Sequence, residues 1–375
     1  MIDPKSLFQI LSRYRDPDQP RALFELGVTV WALVLLWVLM WLSLDVGYWL
    51  TLLLAVPAAG FLVRLFMIQH DCGHGAFFRN RGVNDWVGRL LGVLTLTPYD
   101  YWKRNHAVHH ATSSNLDRRG IGDIETLTVE EYLSRSLLGR LSYRIYRNAI
   151  VMFGFGAAYL FLLQHRLPFH QMRDGWRPWV STMATNAAIA LAVAAMISLV
   201  GTCAFLLVHL PIMLLAASIG VWLFYVQHQF EDVMWTRDHS WVQQRAALSG
   251  SSYYDLPTVL SWFTANIGIH HVHHLNSRIP CYRLPQVLHD HPELKKVGRL
   301  TFLESLRGVR LSLWCESRQK LVSFADLSRI IDCPPGFPSD TGGISSKAAP
   351  AQPVQHRSQA GPSWLARRAG RRCRP

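Results

Sequence analysis

Residues 48–74 read YWLTLLLAVPAAGFLVRLFMIQHDCGH, and this stretch decides the fold. Its first part, residues 48–68, is apolar and long enough to cross a membrane as a helix, which takes about 20 residues. His70 and His74 follow without a break, and residues four apart lie on one face of a helix. The stretch therefore predicts a transmembrane helix that carries two histidines to the membrane surface.

Three other segments are also apolar and long enough to cross, namely residues 26–44, 179–200 and 202–226. Only three residues separate 26–44 from 48–68, and only Gly201 separates the other two segments. The pattern therefore predicts two tight transmembrane helical hairpins. Neither turn contains Lys or Arg, whereas the longer connections are rich in both, which is typical of cytoplasmic segments.

We therefore expect an all-α integral membrane protein whose membrane domain covers residues 26–339. Residues 69–178 and 227–339 would form a cytoplasmic helical cap. Residues 1–25 mix acidic and basic side chains, which is unlike a signal peptide, so we expect a cytoplasmic N-terminal segment. The C-terminus would then lie on the same side.

A fifth apolar stretch, residues 150–163, is short and contains two glycines. Basic residues stand on both sides of it, at Arg144 and Arg147 and again at Arg166 and Arg173. Positive charge at both ends predicts that both ends are cytoplasmic and that the stretch lies on or dips into the membrane. Residues 87–96 are too short to cross and receive the same interpretation.

The composition of the 375-residue chain agrees with this class. Hydrophobic residues make up 50% and charged residues only 17%, where an average soluble domain has about 25% charged residues, and the mean hydropathy is +0.12. These values argue against a disordered chain and against an ordinary soluble enzyme. The six cysteines form no CxxC pair, which indicates a reducing compartment.

The net charge of +13 is concentrated at the C-terminus. Residues 341–375 hold seven basic side chains and no acidic one, among many Ser, Ala, Gly and Pro. We expect residues 340–375 to be a disordered basic tail that faces anionic lipid. Nucleic acid is the alternative partner for such a tail, and we predict no nucleic acid binding; the sequence gives no indication of the oligomeric state.

Nine of the 17 histidines lie in three short clusters, all in the predicted cap. The first is HDCGH at 70–74, the second HAVHH at 106–110 and the third HHVHH at 270–274. On a helix, His106, His109 and His110 fall within an arc of about 100°, and residues 270, 273 and 274 repeat this arc. His271 falls outside the arc of its own cluster.

Imidazole binds zinc, copper, iron and nickel. Eight histidines on shared faces are too many for a single ion, so the spacing predicts a histidine-rich site for two metals.

The three clusters resemble the histidine boxes HxxxH, HxxHH and HxxHH of the membrane fatty acid desaturase family. The sequence HDCGHGAF, residues 70–77, resembles the first box of acyl-lipid desaturases of the delta-12 and omega type. HHVHHLNSRIP and GDIETLTVEEYL resemble bacterial members, and the likeness covers roughly residues 25–335. The resemblance implies a multi-pass enzyme of the bacterial inner membrane that introduces a cis double bond into an acyl chain.

The resemblance also implies two iron ions, with O2 as co-substrate, held almost entirely by histidine. It adds His228, in YVQHQFED, as a further ligand from the end of the last transmembrane helix, and Asn266 as a polar side chain near the metals. The expected ligands are His70, His74, His106, His109, His110, His228, His270, His273 and His274. No HPGG haem motif occurs in the chain, so we expect a separate electron donor, a ferredoxin or a cytochrome b5-like protein.

A histidine that binds a metal through one ring nitrogen commonly donates a hydrogen bond from its other ring nitrogen, here called the outer nitrogen, to a carboxylate. Asp71, Asp117 and Glu231 are the candidates that we favour, together with His271 as a neighbour of the ligands. Asp100, Asp123 and Asp232 also lie near the boxes. Of these six acids, we expect Asp117 and Glu231 to be the best placed. Each of these acids has the alternative of being a solvated loop residue.

Two other functions remain open from the sequence. A hydroxylase or ketolase of the same superfamily would keep the metals and insert oxygen instead of removing two hydrogens. A membrane transporter would have polar groups inside its spans, and here they are few, chiefly Arg64 and His209. Basic residues of the cap (Lys103, Arg104, Arg118 and Arg119) would either dock an acidic electron donor or simply mark the cytoplasmic side.

Overall fold

The computed structural model of the protein describes residues 4–328. The helices before the second hairpin are α1 (Pro4–Leu11), α2 (Gln19–Ser43), α3 (Tyr48–His74), α4 (Arg81–Leu94), α5 (Tyr99–Thr112), α6 (Val129–Ser134), α7 (Leu137–Tyr146) and α8 (Ala157–Leu162). The later helices are α9 (Trp176–Val200), α10 (Thr202–His228), α11 (Gln243–Ser249), α12 (Thr258–Phe263), α13 (His270–Leu275), α14 (Leu284–Asp290) and α15 (Phe302–Gly308). The strands are β1 (Leu127–Thr128), β2 (Tyr253–Asp255), β3 (Arg299–Thr301), β4 (Leu311–Cys315) and β5 (Lys320–Ser323).

Helices α2, α3, α9 and α10 are long and apolar enough to cross a membrane, and they correspond to the four predicted spans. Gly201, with φ +84°, makes the tight turn between α9 and α10, a conformation that glycine adopts without strain. The protein is therefore an all-α integral membrane protein whose histidine clusters lie at the ends of its long helices and in the cap. The predicted tail at 340–375 lies outside the described residues.

Helices α3 and α10 continue past the predicted span ends at residues 68 and 226. They run on to His74 and His228, so the ligand-bearing turns belong to the same rigid helices as the spans. Gly75, with φ +64°, ends α3 in the left-handed conformation that commonly follows a helix.

The stretch at 150–163 is interrupted, as its glycines indicate. A π-helical turn at Val151–Gly156 precedes α8, and the segment Val151–Arg166 is bent by 70° relative to α7. Helix α7 and the segment Val151–Arg166 are long and apolar enough for a fifth span only when the two are taken together. Helix α4, which contains most of residues 87–96, exposes Trp86, Leu90 and Leu94 along one side, as expected of a helix at the membrane surface.

Two small sheets belong to the cap, and the sequence pattern does not reveal them. One has the strand order β1-β4-β5, and the other pairs β2 with β3 in parallel. Strands of two to five residues are too short for an alternating apolar pattern to be recognised. The cap is thus helical, as predicted, with two small sheets added to it.

A buried ion pair joins α2 to α3 within the spans. Glu25 is 2% exposed and Arg64 is 3% exposed. The Arg64 guanidinium donates to the Glu25 carboxylate, to the Trp262 carbonyl and to Thr29 Oγ1. It also lies 4.0 Å from the centre of the Trp262 ring. Arg64 therefore fastens α12 to the membrane helices.

We expect Arg64→Met to lower the free energy of unfolding in mixed micelles by up to about 3–5 kcal/mol, because the buried Glu25 carboxylate then keeps only the half-exposed Arg21, at 2.6 Å, as its ion-pair partner. Replacing the pair together, in the double variant Glu25→Leu/Arg64→Met, should recover most of this loss, since well-packed apolar residues substitute for a buried pair at little cost. Denaturant titration of both variants measures the difference. Equal losses in the two variants would show that the unpaired charge is not the cause.

Candidate metal centre

Four helices bring the predicted ligands together. The end of α3 carries His70 and His74, α5 carries the second box, the end of α10 carries His228, and α13 carries the third box. Because α3 and α10 pack side by side in the membrane, their histidines reach the same level of the cap.

The nine expected ligands, which include His228 but not His271, form two groups. In each group one ring nitrogen per residue lies within 4.8 Å of all the others. The first group contains His70, His74, His106, His110 and His273, and the second contains His109, His228, His270 and His274. Helices α5 and α13 each contribute to both groups, so the second and third boxes are divided between the two sites. The geometry agrees with the prediction of two metals.

The contacts between the rings are those of ligands around an ion. The Nε2 atoms of His109 and His270 each lie 3.1 Å from His228 Nε2, and His106 Nε2 lies 3.1 Å from both His74 Nε2 and His110 Nε2. Metal–imidazole bonds of about 2.1 Å place ligand nitrogens on neighbouring coordination positions about 3.0–3.4 Å apart, depending on the angle. The residues present therefore fit two bound metals.

The second group also contains a buried nitrogen that a metal would satisfy. His274 Nε2 is buried and has no hydrogen-bond partner among the described residues. A buried polar atom without a partner is costly, and coordination to a metal removes that cost.

Burial keeps the histidines of the cap in the form that binds metal. Desolvation is the largest cause that lowers the pKa of His106, His110, His270, His273 and His274 well below the ordinary value, and neighbouring histidines lower it further. Metal binding requires the neutral imidazole, so these rings need lose no proton to bind. Trp102 covers His106 with its ring stacked at 4.7 Å between centroids.

Polar groups hold the outer nitrogens of two ligands. His109 Nδ1 donates to Asp123 Oδ1 over 2.7 Å, and His228 Nδ1 donates to the Gly250 carbonyl over 3.1 Å. A Cβ at position 250 would lie 1.9 Å from Ser114 Oγ, so the close approach requires glycine. Such bonds fix the orientation of the ring and leave Nε2 free for the metal.

The structure corrects the choice of supporting carboxylates. Asp117 accepts from Arg237 Nη1 at 2.7 Å and from the Asp238 backbone, and Glu231 is exposed, so the preference for these two acids was wrong. Asp123 has the expected role instead. It stands in the stretch GDIETLTVEEYL, which carries part of the family resemblance, and this was the available signal. No sequence signal pointed to the Gly250 carbonyl.

Two other expected neighbours have other partners. Asp71 Oδ1 lies 3.4 Å from His70 Nδ1, and its second oxygen accepts from the Cys281 backbone over 2.6 Å. Asn266 donates its side-chain amide to the Cys281 carbonyl over 3.1 Å. Cys281 follows the third box, so Asp71 ties the first box to the segment after the third box. Asn266 ties the segment before the third box to that same segment.

His271 points away from both groups, as its position on the helix predicts. It is fully buried, and its Nε2 donates to the Leu294 carbonyl over 3.1 Å. Burial lowers its pKa to about 4, so the ring is neutral.

We expect His271→Ala to keep the metal content and to retain more activity than His270→Ala. The first variant loses packing and one hydrogen bond, whereas the second loses a ring nitrogen that lies 3.1 Å from His228 Nε2. Metal analysis and product formation, compared at matched expression, check this order. The reverse order would place His271 among the ligands.

A small apolar cavity of about 30 Å³ lies between α3, α8 and α10, on the side of the histidines that faces the spans. Its lining includes Phe66, Phe161, Ala217 and Gly220. Phe66 packs edge-on against Trp102, with 5.5 Å between ring centroids, and Trp102 in turn stacks on His106. The cavity is thus separated from the first group by two aromatic side chains.

Comparison with known proteins covers most of the chain. The family model described as fatty acid desaturase matches residues 46–302, which include the nine histidines of the two groups. The protein named fatty acid desaturase of Bacillus subtilis is 46% identical over 336 residues, 89% of this chain and 95% of that protein. The sn-1 oleoyl-lipid 12-desaturase of Arthrospira platensis is 24% identical over 262 residues, 69% of this chain and 72% of that protein. An sn-1 acyl-lipid omega-3 desaturase (ferredoxin) of Synechocystis is 27% identical over 240 residues, 59% and 61% of the two chains.

Proposed function

Because the chain belongs to the fatty acid desaturase family, whose members are oxidoreductases of lipid metabolism, we propose that it introduces a cis double bond into the acyl chain of a membrane lipid. The observation that carries the proposal is the division of nine histidines into two adjacent groups with ligand-like spacing. Two relatives are named for acyl-lipid substrates, which supports a lipid as the substrate.

We propose that the two groups hold two iron ions. The donor set accepts iron but also suits zinc, copper and nickel, so the identity of the metal is supported by the family alone. When bound, the iron pair would supply O2-dependent oxidation, in which O2, two electrons and two protons together with two hydrogens of the acyl chain yield two molecules of water. The protein holds both sites rigid, because each box lies on a helix.

The chain's own residues shape the approach of the substrate. Leu62, Phe66 and Phe161 line the small apolar cavity, and these side chains suit contact with a hydrocarbon chain that enters from the bilayer. Phe66 and Trp102 would line the path from this cavity to the histidines and would exclude water from the reacting carbons. The buried rings of His109 and His273 are both 0% exposed, so this part of the site is closed to solvent.

The electron donor is a separate protein in this proposal, and the relative named with ferredoxin supports a ferredoxin. The basic residues considered for its docking are mostly paired within the cap. Lys103 binds Asp85, Arg118 binds Asp238 and Arg119 binds Glu131. Their charges are thus compensated, which favours a role in the fold over a role in docking an acidic donor.

The position of the boxes supports the proposed topology. His110 Nε2 lies 3.2 Å from His273 Nε2, so the second and third boxes lie on one side of the membrane. His228 shares that side, and the α9–α10 hairpin returns to the side from which it starts. Residues 113–175 therefore begin and end on the same side. Arg15 donates to Asn276 Oδ1 over 2.9 Å, which supports an N-terminus on this side too, the cytoplasm by the positive-inside rule.

A reporter fused after Arg173 should give a cytoplasmic signal. Residues 113–175 begin and end on the cytoplasmic side in this topology, so the bent segment among them makes no net crossing of the membrane. Fusions after Asp45 and after Gly201 serve as controls and should report the opposite side. A signal from the opposite side after Arg173 would separate the second and third boxes and would contradict the single-site arrangement.

The proposed reaction is tested by expression in a host that lacks polyunsaturated lipids, followed by mass spectrometry of its fatty acids. A desaturase gives products lighter by two hydrogens, whereas a hydroxylase gives products heavier by one oxygen. The variant His270→Ala is the matched control. Unchanged fatty acids with a metal-loaded, correctly inserted protein and a reduced donor present would contradict the proposal.

A further inference from the structure

Two short helices of the cap start side by side. Strands β2 and β3 pair in parallel, with Tyr253 opposite Arg299 and Asp255 opposite Thr301. Helix α12 follows β2 after two residues, and α15 follows β3 directly. The small sheet therefore directs both helices to leave from the same end.

Both helices expose large apolar side chains. Val259 and Leu260 of α12 are 66% and 47% exposed, and Phe302, Leu303 and Leu306 of α15 are 49%, 69% and 49% exposed. We call these five residues the twin-helix surface. At about 100° per residue, the three apolar positions of α15 span one arc of about 100°, and the buried Ser305 and Gly308 lie on the opposite side. The apolar arc thus faces away from the protein.

Contacts with the spans fix the depth of this surface. Tyr225 Oη in α10 donates to the Gly308 carbonyl over 3.0 Å, and the Phe61 ring in α3 packs 5.0 Å from Phe263. Arg64 holds α12 through the Trp262 carbonyl. Both helices are therefore fastened to the last turns of α3 and α10 before the histidines.

Helix α2 exposes an apolar side chain at this same level. Glu25 of α2 pairs with Arg64, and its neighbour Phe24 is 59% exposed on the outside of α2. An exposed Phe at this level is typical of a surface in contact with hydrocarbon or with its boundary to the headgroups. Helix α12 is held at the level of the same ion pair through the Trp262 carbonyl.

We propose that the twin-helix surface inserts into the headgroup–acyl boundary of the adjacent leaflet and binds phospholipid there. Arg307 and Arg310 flank the apolar arc of α15, are exposed and form no ion pair within residues 4–328. Their guanidinium groups suit the phosphates of lipid headgroups. The contact does not depend on the reaction and so goes beyond the proposed function. It anchors the segment that leads, through residues 264–269, to His270.

The surface is tested by single nitroxide labels on the full-length protein in nanodiscs of phosphatidylethanolamine and phosphatidylglycerol. Leu303→Cys, Leu306→Cys and Val259→Cys are made in a background where Cys203, Cys333 and Cys373 are serine. Leu53→Cys on the lipid-facing side of α3 and Lys320→Cys on β5 are the membrane and water controls. Accessibility to O2 and to a water-soluble nickel chelate is measured for each label.

The expected result is high O2 accessibility and loss of nickel accessibility, down to the level of the Leu53 label, at all three positions. Accessibility like that of the Lys320 label would overturn the proposal. Protection from both reagents, in nanodiscs that hold one copy, would mean that residues 329–375 cover the surface. The same protection only when two copies share a disc would mean a dimer contact, and either outcome contradicts lipid binding.

Discussion

His228→Ala is expected to reduce the metal content from about two ions per chain to about one and to abolish turnover. His228 Nε2 lies 3.1 Å from both His109 Nε2 and His270 Nε2, so it is central to the four-histidine group. Removing a group that only supports a ligand costs about 10- to 100-fold in affinity or activity, and removing a ligand should cost more.

The matched control is His209→Ala, on the same helix. His209 stacks on Phe205 with 5.0 Å between ring centroids and belongs to neither histidine group. This variant should keep both metals and most of the activity. Elemental analysis of the purified proteins and fatty acid profiling check both variants. Two ions retained in the His228 variant would remove it from the ligand set, and zinc as the sole stoichiometric metal of the active protein would contradict iron.

Asp123→Ala is expected to lower metal affinity or activity by about 10- to 100-fold, as the loss of a carboxylate behind a ligating histidine does at other metal sites. The side chain of Asp123 is 6% exposed and accepts from His109 Nδ1 over 2.7 Å. Without it, the His109 ring loses its fixed orientation and its Nε2 lone pair is less well directed. Asp123→Asn should fall between alanine and the unaltered protein, because an amide oxygen still accepts the bond.

Asp117→Ala is the control for this experiment. Asp117 is close to Asp123 in sequence, but it pairs at the surface with Arg237, and exposed ion pairs contribute about 0–1 kcal/mol. Metal titration in a chelator buffer and turnover at saturating donor separate the two variants. A larger loss in the Asp117 variant than in the Asp123 variant would contradict the assignment of the supporting carboxylate.

Sequence periodicity was sufficient for the class of fold and for most of the candidate site. A run of about 20 apolar residues has one stable conformation in a bilayer, because every backbone polar group must be bonded within its own helix. Histidines three and four residues apart share a face because an α-helix has 3.6 residues per turn. The same geometry separated His271 from its neighbours. These features depend on residues adjacent in the chain.

Contacts between distant segments were decided by the tertiary structure alone. The sequence could not divide the second box between the two groups, with His109 in one and His106 in the other, because that depends on how α5 meets α10 and α13. It placed Asp117 ahead of Asp123, whereas the packing of the loop after α5 brings Asp123 to His109. The same holds for the Gly250 carbonyl and for the depth of α12 and α15. Local periodicity determines the length and faces of a helix, whereas the partner of each face is set by packing in three dimensions.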